Sequence, residues 1–187
     1  MAVAPLLLSY AIRAAVVGRD RALVGSSQTL ALVPGFTGQY LRRAFYARVL
    51  ERFHPSVTIE FGVLLSKAGA RLDEHVYVGP RCHLGLVHIE RECLIGPAVH
   101  IPSGGATHGT SDPDRPLREQ EGTLARVRVG AGSWIGSAAI VMADVGAGSV
   151  VGAGSVVTKP LPDGVVAAGV PAVVVKARQS AAGSLDP

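Results

Sequence analysis

The chain has 187 residues, room for one domain with a substantial core, and is 48% hydrophobic but only 5% aromatic. That core must be built mainly from Val, Leu, Ile and Ala, which suits a narrow aliphatic shaft better than a layered α/β enzyme. The formal charge of +4 and pI of about 9.4 come without a stripe of Lys and Arg interleaved with aromatics, which argues against nucleic acid; a phosphate-bearing small ligand accounts for the excess as well.

Residues 1–56 form an N-terminal helical or extended region. The opening MAVAPLLLSYAIRAAVVG is apolar, but it lacks a basic leading segment, is interrupted by Arg13 and falls short of a membrane span. The expectation is a cytoplasmic protein. Pro5 to Val17 predicts a short helix with Leu6, Leu7, Leu8, Ile12 and Val16 directed at a partner surface. A second helix is predicted from Gly35, capped by Thr37, with Leu41, Phe45 and Val49 at four-residue spacing. Arg42, Arg43, Arg48 and Arg52 accompany that apolar face. The combination reads either as a helix packed on the domain with solvated arginines or as one resting on an anionic membrane surface, at its inner face.

After Pro55 a six-residue rhythm begins. Ile59 and Leu65 are six apart; Leu72, Val78 and Leu84 continue after a one-residue slip; Ile89 comes one early, and Ile95 and Ile101 follow at six. Between 129 and 157 the rhythm is clear, with an aliphatic residue at 129, 135, 141, 145, 151 and 157, Gly in second place at 130, 136, 146 and 152, and one unit, VMAD, two residues short. Neither a helix period nor plain strand alternation produces this pattern. It predicts an all-β fold, a parallel β-helix in which each hexad is one flat side of a coil and the aliphatic residue points into the shaft. Gly and Ser suit corners where a side chain would clash or force an unfavourable backbone angle. The β-helix domain spans 57–176. Its rhythm fails over 103–126, SGGATHGTSDPDRPLREQEGTLAR, which predicts a loop extruded from the shaft. Residues 177–187 are expected to be a flexible tail.

Cys82 and Cys93 are the only cysteines and sit beside aliphatics, so they read as buried free thiols in a reducing compartment. Of six histidines, His108 alone lies in the extruded loop, without apolar neighbours to explain it by packing. An imidazole there is the natural general base for a hydroxyl attacking an activated carbonyl, although a plain surface histidine is the competing account. His83 and His88 carry a rival reading in which the pair meets a third histidine from a neighbouring subunit, since zinc takes three protein ligands and a water, as in a metal-dependent β-helix hydratase of the γ-carbonic anhydrase kind. Their simpler account is as coil-face residues. Lys159, Lys176 and Arg178 near the end of the coil are basic groups that read either as charged donors to phosphates or as ordinary solvated ends. A non-catalytic scaffold is the remaining alternative.

The stretch WIGSAAIVMADVGAGSVVGAGSVVTKPLPDGVVAAGVPAVVVK resembles the C-terminal half of the hexapeptide-repeat acetyltransferases, nearest to those acting in exopolysaccharide, capsule or lipopolysaccharide biosynthesis. WIG, VVGAGSVVTK and AAGVPA carry the resemblance in combination over residues 127–176, and a weaker one reaches back to about residue 20, including PGFTGQYLRRAFY. It implies a left-handed β-helix that assembles as a homotrimer with sites between subunits. The implied reaction moves acetyl from acetyl-CoA to a hydroxyl of a sugar or polysaccharide precursor, with no metal. Carried over by position, His108 corresponds to the catalytic base and Ser137 and Ala153 to contacts of the pantetheine arm. Thr158 and Lys159 fall near the cofactor's nucleotide end, Lys176 by its phosphates, and Trp134 flanks the channel or packs. The short VMAD unit departs from the family's usual form, and the acceptor-side Asn of some members is replaced by HLGLVH.

Overall fold

Each hexad forms one flat side of a coil, and three sides close a turn. The computed structural model describes residues 3–178. Its first coil carries β1 (Arg52–Phe53), β2 (Thr58–Ile59) and β3 (Leu64–Leu65), and the second β4 (Arg71–Leu72), β5 (Tyr77–Val78) and β6 (His83–Leu84). The third has β7 (Val87–Ile89), β8 (Leu94–Ile95) and β9 (His100–Ile101), the fourth β10 (Val127–Val129), β11 (Trp134–Ile135) and β12 (Ile140–Val141). β13 (Val150–Val151), β14 (Val156–Val157), β15 (Val165–Gly169) and β16 (Ala172–Ala177) complete the stack. Strands β1, β4, β7 and β10 make a first face; β2, β5, β8, β11, β13 and β15 a second; β3, β6, β9, β12 and β14 a third. These stacked pairings are parallel, whereas β16 folds back antiparallel on β15. The coil thus begins at Arg52, several residues before the position expected. Of the tail expected over 177–187, residues 179–187 lie outside the described residues, whereas Ala177 ends β16.

The predicted aliphatic positions all point into the shaft. Ile59, Val78, Ile95, Ile135 and Val151 form one buried column and Leu65, Leu84, Ile101, Val141 and Val157 another. Every departure from six falls on a single edge, where the third face turns into the first. Leu65 to Leu72 is long, Leu84 to Ile89 is short, and Val141 to Val145 is shorter still, a shortening that recurs from Val157 to Leu161. The extruded loop leaves from this same edge, between Ile101 and Val127.

Glycine answers two separate demands. At the second position, a Cβ on Gly136 would stand 2.5 Å from the amide nitrogen of Ala153 in the next coil, too close for any side chain. From Leu65 onward, three residues before each inward aliphatic of the second and third faces, the backbone enters the left-handed region, at φ +68 for Gly154 and φ 57 for Ala138. Cys82 and Cys93 are buried free thiols, and burial pushes both up to about 11.

Three helices close the first coil: α1 (Ala4–Val17), α2 (Arg19–Ala31) and α3 (Gly35–Val49). The first and third lie where the sequence places them, and α2 is an addition seen in the structure. The helices satisfy backbone groups that the end coil would otherwise leave bare. Ser27 Oγ accepts from Leu65 N at 2.8 Å, Asp20 Oδ1 accepts from Ala68 N at 2.9 Å, and Ala31 O accepts from Gly62 N at 3.1 Å. Tyr46, fully enclosed beside Ser27, has its phenol pushed up to about 12 by burial.

Arg42 departs from the expected basic surface of α3, on which Arg43 is partly exposed and Arg48 exposed. Its side chain is buried, donating from Nε to Ile59 O at 3.0 Å and from Nη1 to Leu30 O at 2.9 Å and Val33 O at 2.8 Å. One of these carbonyls, Leu30 O, lies in the last turn of α2, where C=O groups run short of partners within the helix, and Val33 O lies two residues beyond its end. Gly38 leaves the space, since a Cβ there would lie 2.7 Å from Arg42 Nη1. Arg52 also leaves the proposed patch: it sits on β1 and pairs with Asp73 at 2.8 Å. Thr37 lies inside α3, which starts after Pro34 without a side-chain cap.

Arg42→Met should lower the unfolding free energy by about 2–5 kcal/mol, because the carbonyls of Ile59, Leu30 and Val33 each lose a donor; urea titration measures it. In the same assay Gly136→Ala should cost about 1–3 kcal/mol through overpacking. Ala138→Gly should instead raise stability by up to about 1 kcal/mol by relieving left-handed backbone strain.

Candidate functional site

The outward residues differ from face to face. On the first, Arg52, Arg71, His88 and Arg128 stack in register and pair with Glu51, Asp73 and Glu90. Arg71 beside it holds the Glu51 carboxyl below its usual range, and Arg128 does the same for Glu90. The second face presents Tyr77, Leu94, Trp134 and Val150, with Trp134 half exposed between Leu94 and Val150. The third stacks Leu64, His83, His100 and Ile140.

The loop does not wander from the third face. It runs out and back as a hairpin, with Ala125 N donating to Ser103 O at 2.9 Å, Thr123 N to Ala106 O at 2.7 Å, and His108 bridging Glu121. Gly122 permits the close approach, since a Cβ there would stand 2.4 Å from His108 N. Gln120, buried, ties the tip: its Nε2 donates to Asp112 O at 2.7 Å and Arg115 O at 2.8 Å, while its Oε1 accepts from Asp112 N at 3.1 Å. Asp112 Oδ1 in turn accepts from Asp114 N at 3.0 Å. Among the described residues no hydrogen bond reaches the His108 imidazole, and Asp112 is engaged in the loop's own turn.

This hairpin brings His108 over the third face, where it lines a cleft of about 410 Å³ together with His83, His100, Ser66, Lys67 and Thr107. The rings of His83 and His100 meet edge to face, centroids 5.9 Å apart. Partial burial in the cleft disfavours the His83 imidazolium, and the like charge on His100 disfavours it further, so its pKa falls below the ordinary value. His100 carried no sequence signal of its own. Its place follows once His83 and His100 are set one coil apart, each immediately before an inward aliphatic.

His83 and His88 do not converge. His83 faces the cleft, whereas His88 lies on the first face with Nε2 3.1 Å from Asp73 Oδ2. Among the described residues no group of three metal ligands forms. The two histidines therefore cannot supply one zinc site within the chain, because the corner between β6 and β7 turns them onto different faces.

The other positions carried over from the resemblance distribute unevenly. Ser137 and Ala153 are exposed on successive corners where the second face turns into the third, and Ser137 O accepts from Gly154 N at 2.9 Å. Thr158 and Lys159 are exposed at the opposite border of the third face, just after β14. These four thus flank the face that bears the histidine cleft. Lys176 does not join them. It lies on β16 beside Val166 and shares with Arg178 a separate cavity of about 510 Å³.

Comparison with known proteins places this architecture. A maltose O-acetyltransferase from Clostridium difficile 630 has a similar structure, with a TM-score of 0.74 and 20% identity, over 87% of this chain and 88% of that one. A hexapeptide-repeat acetyltransferase from Vibrio cholerae gives 0.71 and 21%, over 88% and 96%. The chain has the left-handed β-helix fold of the hexapeptide-repeat acetyltransferases. An N-acyltransferase from Bacillus cereus, solved with dTDP and 3-hydroxybutyryl-CoA, is more distant at 0.56 and 20%, over 71% of this chain and 78% of that one. No protein-family model and no curated protein sequence matches the chain.

The mutual effect of the paired rings is measurable by NMR titration of the histidine side chains. His83 should titrate below the usual histidine range, and His100→Ala should move its midpoint upward by removing the like charge. An unchanged midpoint would show that the two rings do not interact.

Proposed function

We propose that the protein is an acetyl-CoA-dependent O-acetyltransferase acting on a hydroxyl of a sugar or polysaccharide precursor, with His108 as general base. The observation that carries this reading is the hairpin that returns an exposed imidazole to a cleft holding two further imidazoles and Lys67 but no carboxylate. The sugar named for the Clostridium difficile protein and the acyl-CoA bound to the Bacillus cereus protein support the substrate classes.

Acetyl-CoA supplies an activated thioester carbonyl. His108 accepts the proton of the acceptor hydroxyl as its oxygen forms the new C–O bond. A coil N–H donates to the developing oxyanion. The C–S bond then breaks, and His108 returns the proton to the departing thiolate, so the products are the acetyl ester and free CoA thiol. No covalent enzyme intermediate is required. Ser137 and Ala153 are assigned to the pantetheine arm, Thr158 and Lys159 to the nucleotide end, and Lys176 to the phosphates. Lys159 and Lys176 suit anionic groups, being exposed and outside any ion pair among the described residues. The reading includes a homotrimer with sites between copies, for which the apolar column of Tyr77, Leu94, Trp134 and Val150 offers a packing surface. It also places the enzyme in the cytoplasm, where its two free cysteines would stay reduced.

Replacing His108 by Ala should lower acetyl transfer to a panel of sugar acceptors by about 10²–10⁴-fold. CoA affinity by calorimetry and mass by sedimentation equilibrium should not change. Undiminished turnover in the variant would remove His108 from the mechanism.

A further inference from the structure

The outer side of α1 is an apolar surface that nothing in the described chain covers. Leu6, Leu7 and Tyr10 pack inward, whereas Leu8, Ile12 and Val16, one helical turn apart, are 64%, 60% and 79% exposed. The only charged side chain of α1 is withdrawn from that surface: Arg13 reaches across to α2, donating from Nη2 to Ser26 Oγ at 2.8 Å and from Nη1 to Ala22 O at 3.2 Å. The partner surface expected from the sequence therefore involves three of the five apolar residues and not the other two.

Charge identifies what the surface faces. Residues 1–50 hold six arginines and a single acidic residue, Asp20, a net of +5, while residues 51–187 hold twelve basic and thirteen acidic residues, a net of −1. The basic excess of the protein thus resides in its helical region. Asp20 is itself paired with Lys67. Arg19, Arg21 and Arg48 are exposed and in no ion pair among the described residues, and Arg19 donates to Val49 O, which sets it at the end of α3 beside Arg48. A second copy of this region would bring like charges together, whereas an anionic surface would complement them.

We propose that α1 lies in the plane of an anionic lipid surface, with Leu8, Ile12 and Val16 inserted among the acyl chains and the arginines at its C-terminal end among the headgroups. Its 14 residues span about 21 Å, short of a bilayer core, and no helix among the described residues is long and apolar enough to cross a membrane. An apolar stripe bordered by basic groups is the pattern of helices that bind at the interface and prefer anionic lipid. This docking is independent of the acyl-transfer reading, and its assay records protein and not turnover.

The test is flotation of the full-length protein with phosphatidylcholine vesicles containing about 30% phosphatidylglycerol, against phosphatidylcholine alone. The bound fraction should be at least about fivefold larger on the anionic vesicles and should fall at high salt. Ile12→Glu with Val16→Glu should reduce it at least about tenfold without altering circular dichroism or sedimentation mass. Arg19→Ala with Arg21→Ala, which leaves the apolar stripe intact, should reduce it on anionic vesicles alone. Absence of flotation, undiminished flotation of both variants, or a change in sedimentation mass on adding the glutamates would overturn the proposal, the last by showing that the stripe is covered by another copy of the chain.

Discussion

Backbone hydrogen bonds between successive coils hold neighbouring strands about 4.8 Å apart, and that spacing dictates most of what the chain can be. Any residue whose Cβ points along the stacking axis meets the backbone of the next coil, so Gly136 admits no substitute of ordinary size. Any residue directed inward from a strand enters a narrow shaft lined mainly by aliphatic side chains. The low aromatic content and the many glycines are two consequences of this one geometry. Ser133 and Ser149 occur inside because each finds a neighbouring coil's backbone to bond: Ser133 Oγ donates to Gly146 O at 2.8 Å and Ser149 Oγ to Pro162 O at 2.9 Å.

Two of the three edges obey the spacing strictly, and the third is free to vary. The one-residue slip after Leu65, the early Ile89, the short VMAD unit and the long insertion all sit on that edge. A change of length there leaves the inward columns of the faces in register, because the chain is already turning between them. The candidate site grows from this tolerance. The insertion supplies His108, and the strict stacking of the third face supplies His83 and His100 beneath it. The VMAD unit is therefore no isolated defect of the repeat, since the stretch from Val157 to Leu161 repeats its length one coil later.

The helical region meets a different constraint. A parallel stack has bare ends, and open strand edges invite further pairing. Here Ser27, Asp20, Ala31 and Arg42 bond the first coil, so the end is closed by side chains and helix termini. Burying Arg42 to cap the end of α2 removes it from the surface and leaves the basic character of the region to the remaining arginines. The same packing divides α1 into an inner side that joins the core and an outer side that does not.

Much of this was legible in sequence because it depends on phase alone. The hexad count fixed the inward residues, the second-position glycines marked the coil contacts, and the loss of rhythm after Ile101 marked the insertion with His108. A repeat states its own period, and a period is a local property. What the sequence could not disclose depends on which residues meet after some seventeen residues of coil, or across a helix pair. The proximity of His83 to His100, the separation of His88 from His83, the capping role of Arg42, and the placement of Lys176 beside Val166 are all of this kind. The sequence determined that the chain would stack; only the tertiary structure decided which outward side chains the stacking would bring together, because face assignment depends on the length of every corner before it.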